Sequence, residues 1–264
     1  MTRRIVLATR NAAKLTELSR ILEASRVQVS LVTLAEFPNA PDVTETGRTF
    51  EQNALLKARS AAKFTGLPAV ADDSGLCVDA LNGMPGVLSA RWAGRHGDDQ
   101  ANLDLVLAQL TDVAAEDRGA YFACTAAFVL PNAPDEDAER VVEGRLYGRL
   151  ATSPRGTNGF GYDPIFLPDA SEITTAEMEP ADKDAISHRG RALRALAPVI
   201  AELLQRDLAC RYVNQSAGSE QASPLMLIRY VNQAGSLTMR AGLVSPAMRR
   251  PGSWQPRWPV DRSR

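Results

Sequence analysis

Ala69-Val70-Ala71-Asp72-Asp73-Ser74-Gly75 is the stretch on which the reading of this chain turns. The short apolar run after Pro68 predicts a buried strand. Two carboxylates, a hydroxyl and a glycine follow at once, so the strand is expected to close at the acids and to continue only briefly through Leu76–Val78. Successive side chains of an extended strand point to opposite faces. Asp72 and Asp73 are therefore not expected to act as a side-by-side dyad. One faces a site, while the other is held by hydrogen bonds or serves a different part of it. Buried charge without partners is costly, so such acids call for a metal ion or backbone N–H groups. An ordinary acidic strand-to-turn junction would contain the same residues, and the rest of the chain has to separate the two readings.

The chain has 264 residues, 45% hydrophobic and 23% charged, the composition of a globular protein of one large or two small domains. No run of 18 apolar residues occurs, so no membrane span is expected. The N-terminal MTRRIVLATRN lacks the apolar region and cleavage site of a secretory signal, which makes the cytoplasm the expected compartment. Cys77, Cys124 and Cys210 are too widely spaced for a disulfide framework or a zinc site. The net charge of −1 hides an asymmetry: residues 207–264 hold eight Arg against three acids, leaving −6 for residues 1–206. An acidic body repels phosphate backbones, so nucleic acid is not an expected partner. One phosphorylated small molecule can still bind where basic groups are focused.

Arg4–Thr9 predicts a first strand and Asn11–Glu23 a helix, with Leu15, Leu18 and Leu22 on one face. The turn between them, Thr9-Arg10-Asn11-Ala12-Ala13-Lys14, leaves free N–H groups at a helix start and adds a lysine one turn in, which suits an anion. It is not a Walker A loop, since the glycines and the Lys-Ser/Thr ending are missing. Val27–Leu34 predicts a second strand. Thr49 is a good N-cap for a helix through Phe64 that places Asn53 and Lys57 one turn apart. Glu45, in the loop before it, is free to lean over a neighbouring strand end. Asp98 caps a helix through about Leu110, and Ala120–Leu130 with Arg140–Leu150 predicts a long antiparallel pair. The sum is an α/β fold with a mixed sheet.

Further on, Gly156-Thr157-Asn158-Gly159-Phe160-Gly161-Tyr162-Asp163-Pro164 holds an aromatic in a glycine-rich loop without obvious packing neighbours. A planar ligand suits the Phe160 face, and Asp163, fixed by Pro164, can accept from a ring N–H. A short helix is expected over Ser171–Met178 and a long one over Asp182–Arg206. Near the start of the latter, Ser187-His188-Arg189-Gly190 follows Lys183, a cluster too polar for core.

Four stretches, TRNAAK, ETG with FEQNALLKAR, VADDSGL, and FGYDP with DKDAISHRG, occur in an order and spacing that resemble the inosine triphosphate pyrophosphatase family, the bacterial non-standard purine NTP pyrophosphatases. The resemblance spans about residues 4–205. It implies an α/β protein with a long mixed β-sheet flanked by helices, two lobes and a central cleft, generally a homodimer. The implied reaction converts ITP, dITP and XTP to monophosphate and pyrophosphate with Mg²⁺, for which Mn²⁺ can substitute. By the same resemblance, Thr9 through Lys14 become the phosphate turn and Asp73 the general base, near or on the metal. Glu45 and Asp72 become its acidic neighbours, and Ser74 contacts substrate. Phe160, Gly161, Tyr162 and Asp163 form the base loop, completed by Lys183, His188 and Arg189. Arg10 stands where many relatives carry Gly, a modest departure if the turn avoids positive φ.

The residue types agree with that chemistry. Mg²⁺ takes oxygen ligands and keeps several waters, so a few carboxylates with phosphate oxygens suffice. Lys14 and Lys57 can stabilise the oxygens of a displacement at the α-phosphorus. Donors such as His188 and Arg189, with an acceptor at Asp163, match a 6-oxo purine and leave groups unpaired against ATP, a penalty that reaches about 10⁴–10⁵-fold. Two other readings are a Maf-type pyrophosphatase for pyrimidine or modified NTPs, opposed by Phe160 and Ser-His-Arg-Gly, and a nucleotide-binding regulator without catalysis, opposed by intact Glu45, Asp72, Asp73 and Lys14. The resemblance ends near Arg206, giving an expected catalytic domain of 1–206. Residues 207–264, where RYVNQ at 211–215 recurs at 229–233, read as a basic, poorly ordered extension with a short strand near Leu225–Val231.

Overall fold

Strand β1 (Arg3–Leu7) leads into helix α1 (Ala12–Ala24) and returns as β2 (Val29–Thr33), after which α2 (Phe50–Thr65) precedes β3 (Ala69–Val78). Helix α3 (Asp99–Gln109), the long strands β4 (Gly119–Val129) and β5 (Glu139–Leu150), β6 (Phe166–Pro168) and helices α4 (Pro180–Ile186) and α5 (His188–Ala217) follow. This computed structural model describes residues 3–131, 139–217, 230–231 and 237–238. The chain divides into two compact units, Met1–Leu208 and Ala209–Arg264. In the second unit Tyr230–Val231 pairs antiparallel with Leu237–Thr238. The remainder of the strand expected near 225–231 lies outside the described residues, as do the 132–138 connection and the Pro/Arg-rich end.

Among the described residues of the first unit, six strands form one mixed sheet in the order β2-β1-β3-β4-β5-β6. The β1 pairings are parallel and those from β3 to β6 antiparallel. Helix α2 begins where Thr49 Oγ1 accepts from Gln52 N–H and ends at Gly66, whose φ of 67° suits a residue without Cβ. Asp98 caps α3 by accepting from Ala101 N–H.

Three local expectations change. β3 does not close at the acids: ten residues pair continuously with β4, from Ala69↔Val129 to Val78↔Ala120, with Asp72 and Asp73 in the middle. Burial against a long partner outweighs the turn preference of Asp-Ser-Gly. No helix forms over Ser171–Met178, because the hydroxyls of Thr174 and Thr175 bond Arg155 O and Asp163 instead. The helix expected over Asp182–Arg206 is two helices. Ser187 is extended (ψ 144°) between them, and its Oγ accepts from Gly190 N–H at 2.9 Å, the geometry of an N-cap. That break puts His188 and Arg189 in the first turn of α5.

The sheet is covered on both faces at its β1 end. One face packs Val70, Ala126 and Phe128 against Leu18 and Leu22 of α1 and Leu193, Leu196 and Ile200 of α5. The other packs Ala69, Ala71 and Ala127 against Ala54, Ala58 and Ala62 of α2. Farther along the same strands a separate core joins Leu76, Val78 and Phe122 to Leu103, Val106, Ile165 and Phe166. Asp72, Asp73, Ser74 and Gly75 lie in β3 between these cores.

Helix α5 approaches β5 closely at Gly144, where an added Cβ would lie 2.3 Å from His188 O and 2.5 Å from Ala192 N. Both are backbone atoms that cannot rotate away. Gly144→Ala is therefore expected to lower the unfolding free energy in urea by about 1–3 kcal/mol, although alanine in place of strand glycine would otherwise help.

Candidate active site

β3 offers a short open edge. β1 pairs with it only at Val6↔Ala69 and Leu7↔Val70, and Ala8 N–H donates to Val70 O at 2.8 Å. From Leu76 onward the same edge is covered: Leu76 N–H donates to Ser89 Oγ (2.9 Å) and Val78 N–H to Met84 O (3.1 Å). Between these points no other described strand pairs with residues 72–75 on that side. The gap lies just beyond the C-terminal end of β1, where ligands enter open α/β sheets, and from it both faces of β3 are within reach.

The Thr9–Lys14 turn borders this gap. Thr9 Oγ1 accepts from Asn11 N–H at 3.1 Å, and α1 starts at Ala12 and Ala13. Arg10 is drawn away from the helix start, pairing with Asp42 and donating to Ala40 O at 3.0 Å. Thr9, Arg10, Asp42, Lys57 and Ser60 help line a cavity of about 110 Å³.

The two acids are divided between the faces of the strand. Asp73 faces α2, accepting from Asn53 Nδ2 (3.0 Å) and Lys57 Nζ (3.2 Å), and Lys57 also donates to Glu45 Oε1 at 2.6 Å. Burial raises the Asp73 carboxyl, Lys57 opposes this, and the Glu45 charge raises it again, leaving it above the ordinary range. Asp72 faces α1 and α5. Lys14 Nζ donates to its Oδ2 at 2.9 Å, Arg189 Nε donates at 3.1 Å, and the same guanidinium pairs with Glu17. Burial alone would raise Asp72, but Lys14 and Arg189 outweigh it and hold the carboxyl well below the usual range. Asp72, expected with Glu45 on a metal, is thus turned to the opposite face and already neutralised by two cations. Glu45 and Asp73 instead converge on Lys57, with Arg91 also beside Glu45, and the two carboxylates supply oxygen ligands of the kind a hard divalent ion takes. Among the described residues no group of three His, Cys, Asp or Glu is arranged to hold a metal.

Ser74 Oγ lies buried on the Asp72 face, in register with Cys124 of β4. His188 stacks on Phe122 with centroids 4.9 Å apart, and burial pushes its pKa down to about 4, so the ring is neutral at physiological pH.

The glycine-rich loop is more tightly organised than a free acceptor site. Asp163, 4% exposed, accepts from Phe160 N–H (2.8 Å), Thr175 Oγ1 (2.9 Å) and Lys183 Nζ. Its oxygens are spoken for, so the expected bond from a ring N–H meets a carboxylate that instead shapes the loop. Tyr162 turns inward, donating its OH to Ser89 O at 2.8 Å, and Gly161 N–H donates to Asp99 at 2.9 Å. Phe160 is left 78% exposed, with Lys183 Nζ 5.2 Å from its ring centre.

A family model described as the Ham1 family matches residues 5–199. The chain belongs to the Ham1 family. Among its relatives, the dITP/XTP pyrophosphatase of Streptomyces coelicolor is 61% identical over 201 residues, 76% of this chain and 98% of that protein. The dITP/XTP pyrophosphatase of Frankia alni is 58% identical over 206 residues, again 76% and 98%. A crystal structure of the dITP/XTP pyrophosphatase from Mycobacterium abscessus is 58% identical, with a TM-score of 0.63 over 74% of this chain and 99% of that one. A HAM1 protein from Coxiella burnetii is 44% identical, with a TM-score of 0.70 over 76% of this chain and all of that one.

Several residues of this Ham1-family site carry little sequence signal. Asn53 donates to Asp73 and also accepts from Gly47 N–H at 2.8 Å, tying the Glu45 loop to the acid. Its place one turn before Lys57 is the available hint. Glu17 and Asp99 look like solvated helix acids, and only long-range packing sets them against Arg189 and Gly161. The charge balance at Asp73 gives a sign test. In metal-free protein, NMR titration of the Asp73 carboxyl should give a midpoint above the ordinary 3.8. Lys57→Met, which removes a lowering charge, should move it higher, and Glu45→Gln, which removes a raising one, should move it lower.

Proposed function

We propose that this chain hydrolyses non-standard purine nucleoside triphosphates, dITP, ITP and XTP, to the monophosphate and pyrophosphate, and so cleanses the nucleotide pool. The observation that carries the reading is the convergence of Glu45, Lys57 and Asp73 at the open edge of β3, with Lys14 across the strand. Membership of the Ham1 family and relatives described as dITP/XTP pyrophosphatases support it.

The triphosphate lies over residues 72–75, its oxygens met by Lys14, Lys57 and the N–H groups of the Thr9–Lys14 turn. Glu45 and Asp73 would hold Mg²⁺, which would neutralise phosphate charge at that point. Asp73 orients the attacking water and accepts its proton. Water oxygen bonds to the α-phosphorus as the α–β bridging bond breaks, and pyrophosphate leaves toward the lysines. Asp72 takes no proton in this scheme. It holds Lys14 and Arg189 in place.

Phe160 offers its face to the base. Lys183, with one donor given to Asp163, has only donors left. A 6-oxo group accepts from it, whereas the 6-amino group of adenine sets donor against donor. Discrimination then comes from an unmatched donor rather than from an Asp163 acceptor.

Pyrophosphate release from dITP, XTP, GTP, ATP and dTTP, with and without Mg²⁺, tests the reading. Metal-dependent turnover of dITP and XTP is expected, with kcat/KM for ATP lower by about 10²-fold or more; equal turnover of ATP and dITP contradicts the selectivity. Asp73→Asn should bind dITP yet lose about 10²–10⁴-fold in kcat, the scale of a missing general base.

A further inference from the structure

Glu45 sits in a loop without regular structure, between Ala40 and Arg48, so its carboxylate depends on neighbours for its position. One is Lys57. Another is Arg91, whose Nη2 donates to Glu45 O at 3.3 Å while its Nη1 stands 3.7 Å from Glu45 Oε2. Arg91 therefore grips both the backbone and the side chain of the same residue.

Arg91 ends the 3₁₀ segment Gly86–Arg91, which is anchored in the body of the protein. Ser89, 8% exposed, accepts from Leu76 N–H through its Oγ and donates from it to Gly86 O at 2.6 Å. The segment lies hard against β3: a Cβ on Gly75 would fall 2.4 Å from Gly86 O and 2.5 Å from Ser89 Oγ. The Ser89 carbonyl, in turn, accepts from the OH of Tyr162, which is 5% exposed and adjoins Gly161 and Phe160 in the loop. A short rigid segment thus touches the loop that presents Phe160 through Ser89, and Glu45 through Arg91.

We propose that Arg91 is a positioning residue for Glu45, and that Gly86–Arg91 is a strut through which the Phe160–Tyr162 loop sets the placement of that carboxylate. The proposal rests on the pyrophosphatase reading for its kinetic consequences, though not for the position of Glu45 itself. Base recognition and the acid pair are then mechanically linked: a loop displaced by a poorly fitting base shifts Ser89, and with it Arg91 and Glu45. Selectivity gains a contribution in kcat as well as in binding.

The test uses the full chain carrying Arg91→Met, Arg91→Lys, Tyr162→Phe, or Arg91→Met with Tyr162→Phe, each checked for folding by thermal unfolding. Two quantities are measured: steady-state pyrophosphate release from dITP, and Mn²⁺ affinity by electron paramagnetic resonance without nucleotide. Arg91→Met is expected to lower kcat and weaken Mn²⁺ binding about 10–100-fold, the usual effect of removing a group that orients a metal-binding side chain. At saturating metal KM should change less than kcat, and Arg91→Lys should recover part of both losses. Tyr162→Phe should lower kcat in the same direction, and the double variant should be no worse than Arg91→Met alone, because both changes act through one segment. Unchanged kcat and Mn²⁺ affinity in Arg91→Met would overturn the proposal. So would a rise in KM alone, which would make Arg91 a direct phosphate contact, or additive losses in the double variant. If the parent chain releases no pyrophosphate from dITP, the pyrophosphatase reading fails, and Mn²⁺ affinity alone decides whether Arg91 places Glu45.

Discussion

An extended strand cannot aim two adjacent carboxylates the same way, and the centre of this protein is organised by that constraint. β3 sends Asp72 to the face packed by α1 and α5 and Asp73 to the face packed by α2. Each face must then supply cations, because a buried acid left unpaired costs several kcal/mol (roughly 3–5 when one partner of a pair is removed). Lys14 and Arg189 answer Asp72, and Lys57 answers Asp73. The two acids differ in how far pairing offsets burial. Lys14 and Arg189 outweigh the burial of Asp72 and hold it a firm anion. At Asp73 burial outweighs Lys57, and the Glu45 charge adds to it, so that carboxyl is raised. Adjacent residues of one type thereby acquire different uses.

Placement follows from the ends of other elements. Because β1 stops pairing at Leu7 and Ser89 takes over at Leu76, the acids sit at an uncovered stretch of strand edge flanked by two separate cores. The Ser187 cap, by dividing α4 from α5, lets Arg189 reach back to Asp72 from the first turn of a helix. Gly144 and Gly75 make room for the two segments that matter most, α5 and Gly86–Arg91. Glycine serves there through its size.

What was legible in the sequence was local. The Leu15, Leu18 and Leu22 spacing, the caps at Thr49 and Asp98, and the alternation that separates Asp72 from Asp73 all act over a few residues, and the elements formed within one or two residues of expectation. The mixed sheet and the family were legible for the same reason, since ordered motifs survive in linear form. Side-chain partnerships were not. Asp163 reads as a free acceptor until Lys183 and Thr175 are brought to it from 20 and 12 residues away. Ser74-Gly75 reads as a turn until β4 lies alongside. Arg91 carries no local signal for its role before Glu45 folds over from 46 residues upstream.

A crystal structure of the chain with a non-hydrolysable dITP analogue and Mg²⁺ tests the central claim most directly. The account predicts a triphosphate lying along the open edge at residues 72–75, the metal about 2.0–2.1 Å from Glu45 and Asp73 oxygens, and Asp72 still paired with Arg189. A triphosphate bound away from that edge, or a metal taken by Asp72 with Asp73 turned from the α-phosphorus, would contradict it.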